Sequence, residues 1–229
     1  DCQTMFKKII ASIAAIATLA TPVAMAQSVN TDAAYISADA KLVKQENEGA
    51  YIEYEYRDEA ANAEIEALAD ASGKYVIVKT EYVIAPGARE SKLDEAAANE
   101  TAQGILPGCE VDYAYSCLDD GLNEWHAFCL LDGDMWRLTF TADNGDVIET
   151  EVIPGAADEA AATPMLSASG AIDALKAAKG NIAITDLDFD FDDDAGIMYY
   201  EGECTLDGKK YEFKINAYDG SIAEWELDD

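Results

Sequence analysis

Two stretches of this chain repeat one another at a fixed distance, and that regularity limits the fold more than any other feature of the sequence. Trp125-His126-Ala127-Phe128-Cys129-Leu130-Leu131-Asp132-Gly133 aligns with Tyr200-Glu201-Gly202-Glu203-Cys204-Thr205-Leu206-Asp207-Gly208, an offset of 75 residues. The offset continues without a gap through Trp136 and Tyr211, Leu138 and Phe213, Phe140 and Ile215, Gly145 and Gly220, and Val147 and Ile222. Matched apolar positions joined by matched turn residues imply one small unit built twice.

The last unit displays its elements most openly. Ser169 opens a helix carrying Ile172, Leu175 and Ala178 on one face, and Gly180 stops it. Leu187, Phe189 and Phe191 then alternate with Asp186, Asp188, Asp190 and Asp192, the pattern of a half-buried strand whose aspartates face solvent. Strands from Met198 to Cys204, Tyr211 to Ile215 and Ile222 to Leu227 follow, joined by turns at Asp207-Gly208 and Asp219-Gly220. In the middle unit Ser91-Lys92-Leu93-Asp94 reads as a capping box for a helix from Lys92 to Ala102. Its strands are predicted from Cys109 to Cys117, Glu124 to Leu130, Met135 to Thr141 and Val147 to Ile153. A looser copy without a helix comes first, with strands at Lys41 to Gln45, Ala50 to Tyr56, Glu64 to Ala69 and Tyr75 to Val83. The predicted fold is α+β and two-layered, made of tandem helix plus four-stranded antiparallel sheet repeats. The predicted organisation is a signal region (1–26), a partial β-rich unit (27–90), a middle unit (91–153), a linker (154–165) and a C-terminal unit (166–229).

The signal region rests on Met5-Phe6-Lys7-Lys8, an apolar stretch from Ile9 to Ala20, and the small-x-small site Ala24-Met25-Ala26. The apolar stretch is shorter than the ~20 residues of a membrane span. The mature chain is therefore expected to be secreted, or to reside in the periplasm or cell envelope, with no membrane insertion after signal removal. Its 46 acidic residues against 15 basic ones give a net charge of -31. That field repels phosphate backbones, which excludes nucleic acid as a partner, and attracts cationic surfaces.

Cys109, Cys117, Cys129 and Cys204 are the candidate disulfide cysteines of an exported chain. Cys109 and Cys117 lie on one predicted strand, about 27 Å apart at a rise of ~3.4 Å per residue, too far to pair. Four buried thiols or one structural disulfide stand against two full disulfides. No C-x-x-C pair and no Cys/His metal spacing is present, and nothing electropositive adjoins a cysteine, so neither a metal site nor a catalytic thiol is expected.

With these residues in view the chain resembles the PepSY family. That family's pattern is a capped helix, an acidic strand, then Tyr-x-Val-like, Asp-Gly, Tyr-x-aromatic-x-aliphatic and Asp-Ala-x-x-Gly segments. Leu166 to Asp229 match it best, through Tyr200, Asp207-Gly208, Tyr211-Glu212-Phe213-Lys214-Ile215, Ala217, Asp219-Gly220 and Ile222, with Asn216 where the family usually has Asp. The middle unit matches through Trp125, Asp132-Gly133, Trp136 and Ala142-Asp143-Asn144-Gly145, and the first only around Asp70-Ala71-Ser72-Gly73. The resemblance implies secreted or envelope modules that inhibit or regulate peptidases, and a fold similar to that of β-lactamase-inhibitory proteins. It supplies no catalytic residue and no cofactor.

His126 is the sole histidine, and by strand parity it points away from Trp125, Ala127 and Cys129. No serine or cysteine is placed beside it as a nucleophile. The acidic run from Asp186 to Asp194 lacks the glycine and glutamate positions of an EF-hand loop. His126, Phe128 and Leu130 instead form an apolar strip on an otherwise acidic sheet face, the candidate partner-binding face. The expected function is a non-enzymatic protein-binding module, peptidase-inhibitory or regulatory, whose partner is an exported peptidase or another basic protein surface. A structural or calcium-binding envelope protein is the alternative, and a hydrolase the least favoured reading.

Overall fold

The structure, a computed structural model, describes residues 35–83, 93–119, 121–158, 161 and 163–228. The expected signal region, and Ser91 and Lys92 of the expected capping box, lie outside the described residues. In chain order the elements are β1 (Lys41–Glu48), β2 (Tyr51–Asp58), β3 (Ala63–Asp70), β4 (Tyr75–Tyr82), α1 (Glu95–Ile105), β5 (Glu110–Asp119), β6 (Leu122–Leu131) and β7 (Asp134–Thr141). There follow β8 (Val147–Ile153), α2 (Ala168–Lys179), β9 (Ala183–Asp192), β10 (Ile197–Leu206), β11 (Lys209–Asn216) and β12 (Ile222–Leu227).

This corrects the expected α+β architecture. The protein is mostly β, with twelve strands and two helices among the described residues, and it is not a row of helix-plus-sheet repeats. Eight strands form one antiparallel sheet, ordered β1-β2-β3-β4-β8-β7-β6-β5, and four form a second, ordered β12-β11-β10-β9. The large sheet arises because β4 and β8 pair edge to edge, Val78 opposite Val152 and Thr80 opposite Thr150. That pairing removes two open edges at once, a gain invisible in the local pattern of either strand.

Local geometry does recur across the 75-residue offset. Asp132 and Asp207 both have φ of 52°, followed by Gly133 at 86° and Gly208 at 77°, the positive-φ pair that a tight hairpin twisting with its strands requires. The Trp125 indole N–H donates to the Leu93 carbonyl (3.3 Å) and the Tyr200 hydroxyl to the Leu166 carbonyl (2.8 Å), each just before a helix. The helix caps lie near the expected starts rather than on them. Asp94 accepts from Ala97 N–H at 2.9 Å, and Ser167, not Ser169, accepts from Gly170 N–H at 3.3 Å.

The helices and small sheet cover the two faces of the large sheet. Ala98 and Ala102 of α1 pack on Trp125, Ala127, Cys129, Leu138 and Phe140. On the opposite face Tyr115, Phe128, Met135 and Ile153 meet α2 and the small sheet through Leu187, Phe189, Tyr200 and Phe213. The contact is made by β9, an edge of the small sheet. The Tyr115 hydroxyl accepts from Leu187 N–H (2.9 Å), and its proton can go to the Leu187 carbonyl (3.1 Å) or Asp186 (3.2 Å), so a side chain satisfies an edge that no strand covers.

Beside Tyr115 the inter-sheet layer becomes ionic. Arg137 Nη1 donates to Glu149 (2.7 Å) and Glu151 (2.8 Å), and Nη2 pairs with Asp188 of β9. Lys79 reaches Glu149 at 2.9 Å. Desolvation works against the Arg137 cation, but Asp188, Glu151 and Glu149 outweigh it and keep the guanidinium firmly charged. Burial raises the Asp188 and Glu151 carboxyls above the ordinary range, whereas for Glu149 the pull of Arg137 and Lys79 overcomes burial and lowers it. Asp186 and Asp188 are thus not solvated as their alternation suggests, because β9 meets the large sheet along its edge and side chains from both of its faces reach that sheet.

Two outcomes follow for stability. Gly202 of β10 lies opposite Leu187, where a Cβ would run into the Asp186 carbonyl oxygen and stand 3.0 Å from Leu187 Cα. Gly202→Ala should therefore lower stability by about 3 kcal/mol, measured by urea unfolding. Arg137→Met should cost roughly 3–5 kcal/mol near pH 8, because Glu151 and Asp188 lose their cation and Glu149 keeps only Lys79. Asp188 and Glu151 have raised folded-state values, so the folded protein takes up protons before the unfolded chain does. Their contribution to stability grows as pH falls through those values and is lost as pH rises through them. The gap between wild type and Arg137→Met should consequently narrow from pH 8 to pH 5, and a constant gap would contradict the assigned charges.

Candidate functional site

The strip His126, Phe128 and Leu130 faces away from α1, but it is not an exposed binding face. His126 is 4% and Phe128 3% exposed, and Leu130 is half-buried. Phe128 stacks edge-on against Phe189 with ring centroids 5.4 Å apart. The small sheet covers the strip, for the same reason that an apolar run appears there at all.

All four candidate disulfide cysteines are free thiols. Cys109 and Cys129 are neighbours in the core under α1, and burial raises both thiols. Cys204 is buried in the small sheet's core and pushed up to about 11. Cys117 lies on the other face from Cys109, contrary to the parity of a regular strand. A bulge between Val111 and Tyr113 inserts one extra residue, leaving Cys109 and Val111 on the α1 side and turning Tyr113, Tyr115 and Cys117 toward β9. The bulged Asp112 accepts from the Ser169 backbone N–H (2.8 Å) and hydroxyl (2.6 Å), tying the first turn of α2 to the large sheet.

The bulge also brings together three groups that the sequence reading kept apart. Cys117 pairs across the strands with Glu124, and His126 lies two residues further along the same face of β6. Their ligand atoms all lie within 4.8 Å of one another. Cys117 Sγ is 3.1 Å from His126 Nε2, and Glu124 Oε2 is 3.5 Å from the same nitrogen. The other nitrogen, Nδ1, is 3.2 Å from the Thr139 hydroxyl, and the ring stacks on Tyr115 at 4.8 Å and 8°. Burial, then Arg137, holds the imidazole neutral. That state disfavours the thiolate–imidazolium pair a cysteine nucleophile needs. The missed signal was Asp120-Gly121: read as a two-residue turn, it places Asp119 opposite Leu122 and hence Cys117 opposite Glu124.

Two further acidic groups lie at the surface, Glu46, Glu48 and Glu53 on the β1–β2 hairpin, and Glu203, Glu212 and Asp228 on the small sheet. The run from Asp186 to Asp194 contributes to no such group among the described residues. Strand β1 ends the large sheet with nearly every residue exposed; Leu42 is 52% and Val43 65% exposed. Among the described residues no helix is long and apolar enough to cross a membrane.

No curated protein matches the chain. Among solved structures, a candidate lipoprotein from Clostridium difficile 630 is 14% identical, over 61% of this chain and 95% of that one, with a TM-score of 0.32. The Bacillus megaterium YpeB C-terminal domain is 15% identical over 82% of this chain and 88% of its own, with a TM-score of 0.31. A BLIP-like protein from Bacteroides fragilis NCTC 9343 is 19% identical over 48% and 73%, with a TM-score of 0.20. The family model described as "Peptidase propeptide and YPEB domain" matches residues 169–226, the span of α2 and the small sheet. These residues of the chain are a PepSY domain.

Proposed function

We propose that the chain is an exported, non-enzymatic protein-binding module that restrains or regulates a peptidase, and that it docks an extended, basic segment of that partner along β1. The observation that carries this reading is the exposure of Leu42 and Val43 on an edge strand that pairs only with β2 among the described residues. An open edge offers a row of backbone donors and acceptors to an incoming strand, and exposed side chains beside it supply specificity. The preference for a basic segment comes from charge. Lys44 is occupied by Glu55 (2.8 Å) and Glu46 (3.1 Å), while Glu48 and Glu53 add further negative charge to the hairpin. The overall charge of -31 steers cationic partners toward the protein at long range.

The peptidase side of the proposal rests on the family description, which joins the domain to peptidase propeptides. A secreted or envelope location accords with the signal-like segment at residues 1–26. A hydrolase using Cys117 and His126 is disfavoured, since the imidazole is buried and its neutral state disfavours a thiolate–imidazolium pair.

The test is capture from the secreted and envelope fraction of the host, followed by calorimetry with the retained protein. The double variant Leu42→Ser/Val43→Ser should keep its fold, because both side chains are more than half exposed, and should bind at least about tenfold more weakly. If a peptidase is retained, its activity should fall on addition of the wild type and recover with the variant. Undiminished binding by the variant, or no retained protein at all, would overturn the proposal.

A further inference from the structure

We infer that Cys117, Glu124 and His126 form a binding site for a borderline divalent transition-metal ion, with Zn2+ the natural occupant. The three ligand atoms meet over a short span of one hairpin. Cys117 and Glu124 are direct cross-strand partners, and His126 follows on the same face. Tetrahedral Zn2+ with a sulfur at ~2.3 Å and a nitrogen and an oxygen at ~2.0–2.2 Å has ligand–ligand edges of about 3.4–3.6 Å. The observed edges from His126 Nε2 are 3.1 Å to Cys117 Sγ and 3.5 Å to Glu124 Oε2. An ion therefore needs only small shifts of side chains held on paired strands.

The surroundings hold the imidazole in place, with Nε2 toward Cys117 and Glu124 and Nδ1 toward Thr139. If Nδ1 carries the proton it donates to the Thr139 hydroxyl at 3.2 Å, and the Nε2 lone pair then points at Cys117 and Glu124. Stacking on Tyr115 holds the ring plane. Arg137 Nη2, which can only donate, lies 3.4 Å from Nδ1; in the Nδ1–H tautomer its hydrogens stay with Glu149, Glu151 and Asp188, and Nδ1 donates to Thr139 instead. A thiolate, a carboxylate and a neutral imidazole together balance a divalent charge. Metal binding would release the Cys117 proton to solvent. A set that mixes sulfur, nitrogen and oxygen selects Zn2+ or Co2+ over the all-oxygen preference of Ca2+ and Mg2+. Cys117 lies on β5, the end strand of the large sheet, and is half-buried, leaving its side of the site open for a water as fourth ligand.

The experiment uses the metal-free full chain titrated with Co2+, then Zn2+. One equivalent of Co2+ should produce the ultraviolet thiolate-to-metal charge-transfer absorption, and Zn2+ should abolish it by displacement. Cys117→Ser should remove the absorption and weaken Zn2+ binding in calorimetry by a hundredfold or more, roughly the upper range for loss of a supporting contact. Glu124→Gln, which keeps both the shape and the thiol, should retain the absorption at reduced affinity, and this holds the test open should Cys117→Ser misfold. Cys129→Ala removes a thiol on the opposite face and should change neither readout. Co2+ binding without a thiolate absorption, or Zn2+ binding that Cys117→Ser leaves unchanged, would place the ion on the surface carboxylates and overturn the inference.

Discussion

Between the two sheets the Arg137 guanidinium occupies a place where acid would otherwise meet acid. Glu149 and Glu151 enter the layer from β8 and Asp188 from β9, all three within reach of one side chain. Two unit charges ~4 Å apart interact by about 4 kcal/mol at the effective dielectric of a protein surface. In a chain with an excess of carboxylates this large, the repulsion in that layer would force the sheets apart. The planar fork reaches β8 through Nη1 and β9 through Nη2, so the cation joins two sheets rather than decorating one. Burying these charges carries a desolvation cost of its own, and a well-packed apolar layer could equal the net stability. What an apolar layer would lack is a preferred angle between the sheets, whereas a bidentate donor with acceptors on both sides fixes one.

That angle is reinforced by a backbone irregularity. The extra residue at Asp112 reverses the parity of β5, and three consequences follow at once. Tyr115 faces β9 and satisfies its edge, Cys117 joins Glu124 and His126, and Asp112 itself is freed to hold the start of α2. A regular strand would leave Tyr115 beneath α1, where Ala98 and Ala102 leave little room for a phenol. The bulge and the Arg137 layer thus act side by side on the same joint, Tyr115 at Asp186 and Leu187 and Arg137 at Asp188.

The local rules in the sequence carried through where they depend on neighbours in the chain. Asp132-Gly133 and Asp207-Gly208 turn where turn chemistry places them, β8 spans the residues that its alternation marks, and the PepSY pattern lies over α2 and the small sheet. Failures came wherever the deciding contact is distant in sequence. Nothing in Tyr75–Tyr82 or Val147–Ile153 alone announces that the two strands will pair and fuse eight strands into one sheet. Asp186 and Asp188 look solvated by period, yet their partners Tyr115 and Arg137 stand more than forty residues away. His126 looked exposed because strand parity names a face without saying what covers it.

The two matched last strands show how similar local sequences come to serve different ends. Val147 of β8 corresponds to Ile222 of β12. In β8, Glu149 and Glu151 turn toward Arg137, Val152 is buried, and β4 takes the free side. In β12 the corresponding stretch carries Glu224, Trp225 and Glu226. Trp225 folds back onto Tyr211 with ring centroids 4.7 Å apart and receives the Lys179 ammonium at the same distance. Glu149 and Glu151 match Glu224 and Glu226 at the same offset, so the glutamates do not separate the two strands; what differs is Trp225 in place of Thr150, an indole spent on its own sheet and on α2. One strand is therefore built to be covered and the other to remain an edge. That divergence accompanies the difference in assembly: β8 is covered by β4 within the eight-stranded sheet, whereas β12 stays at the edge of the four-stranded one.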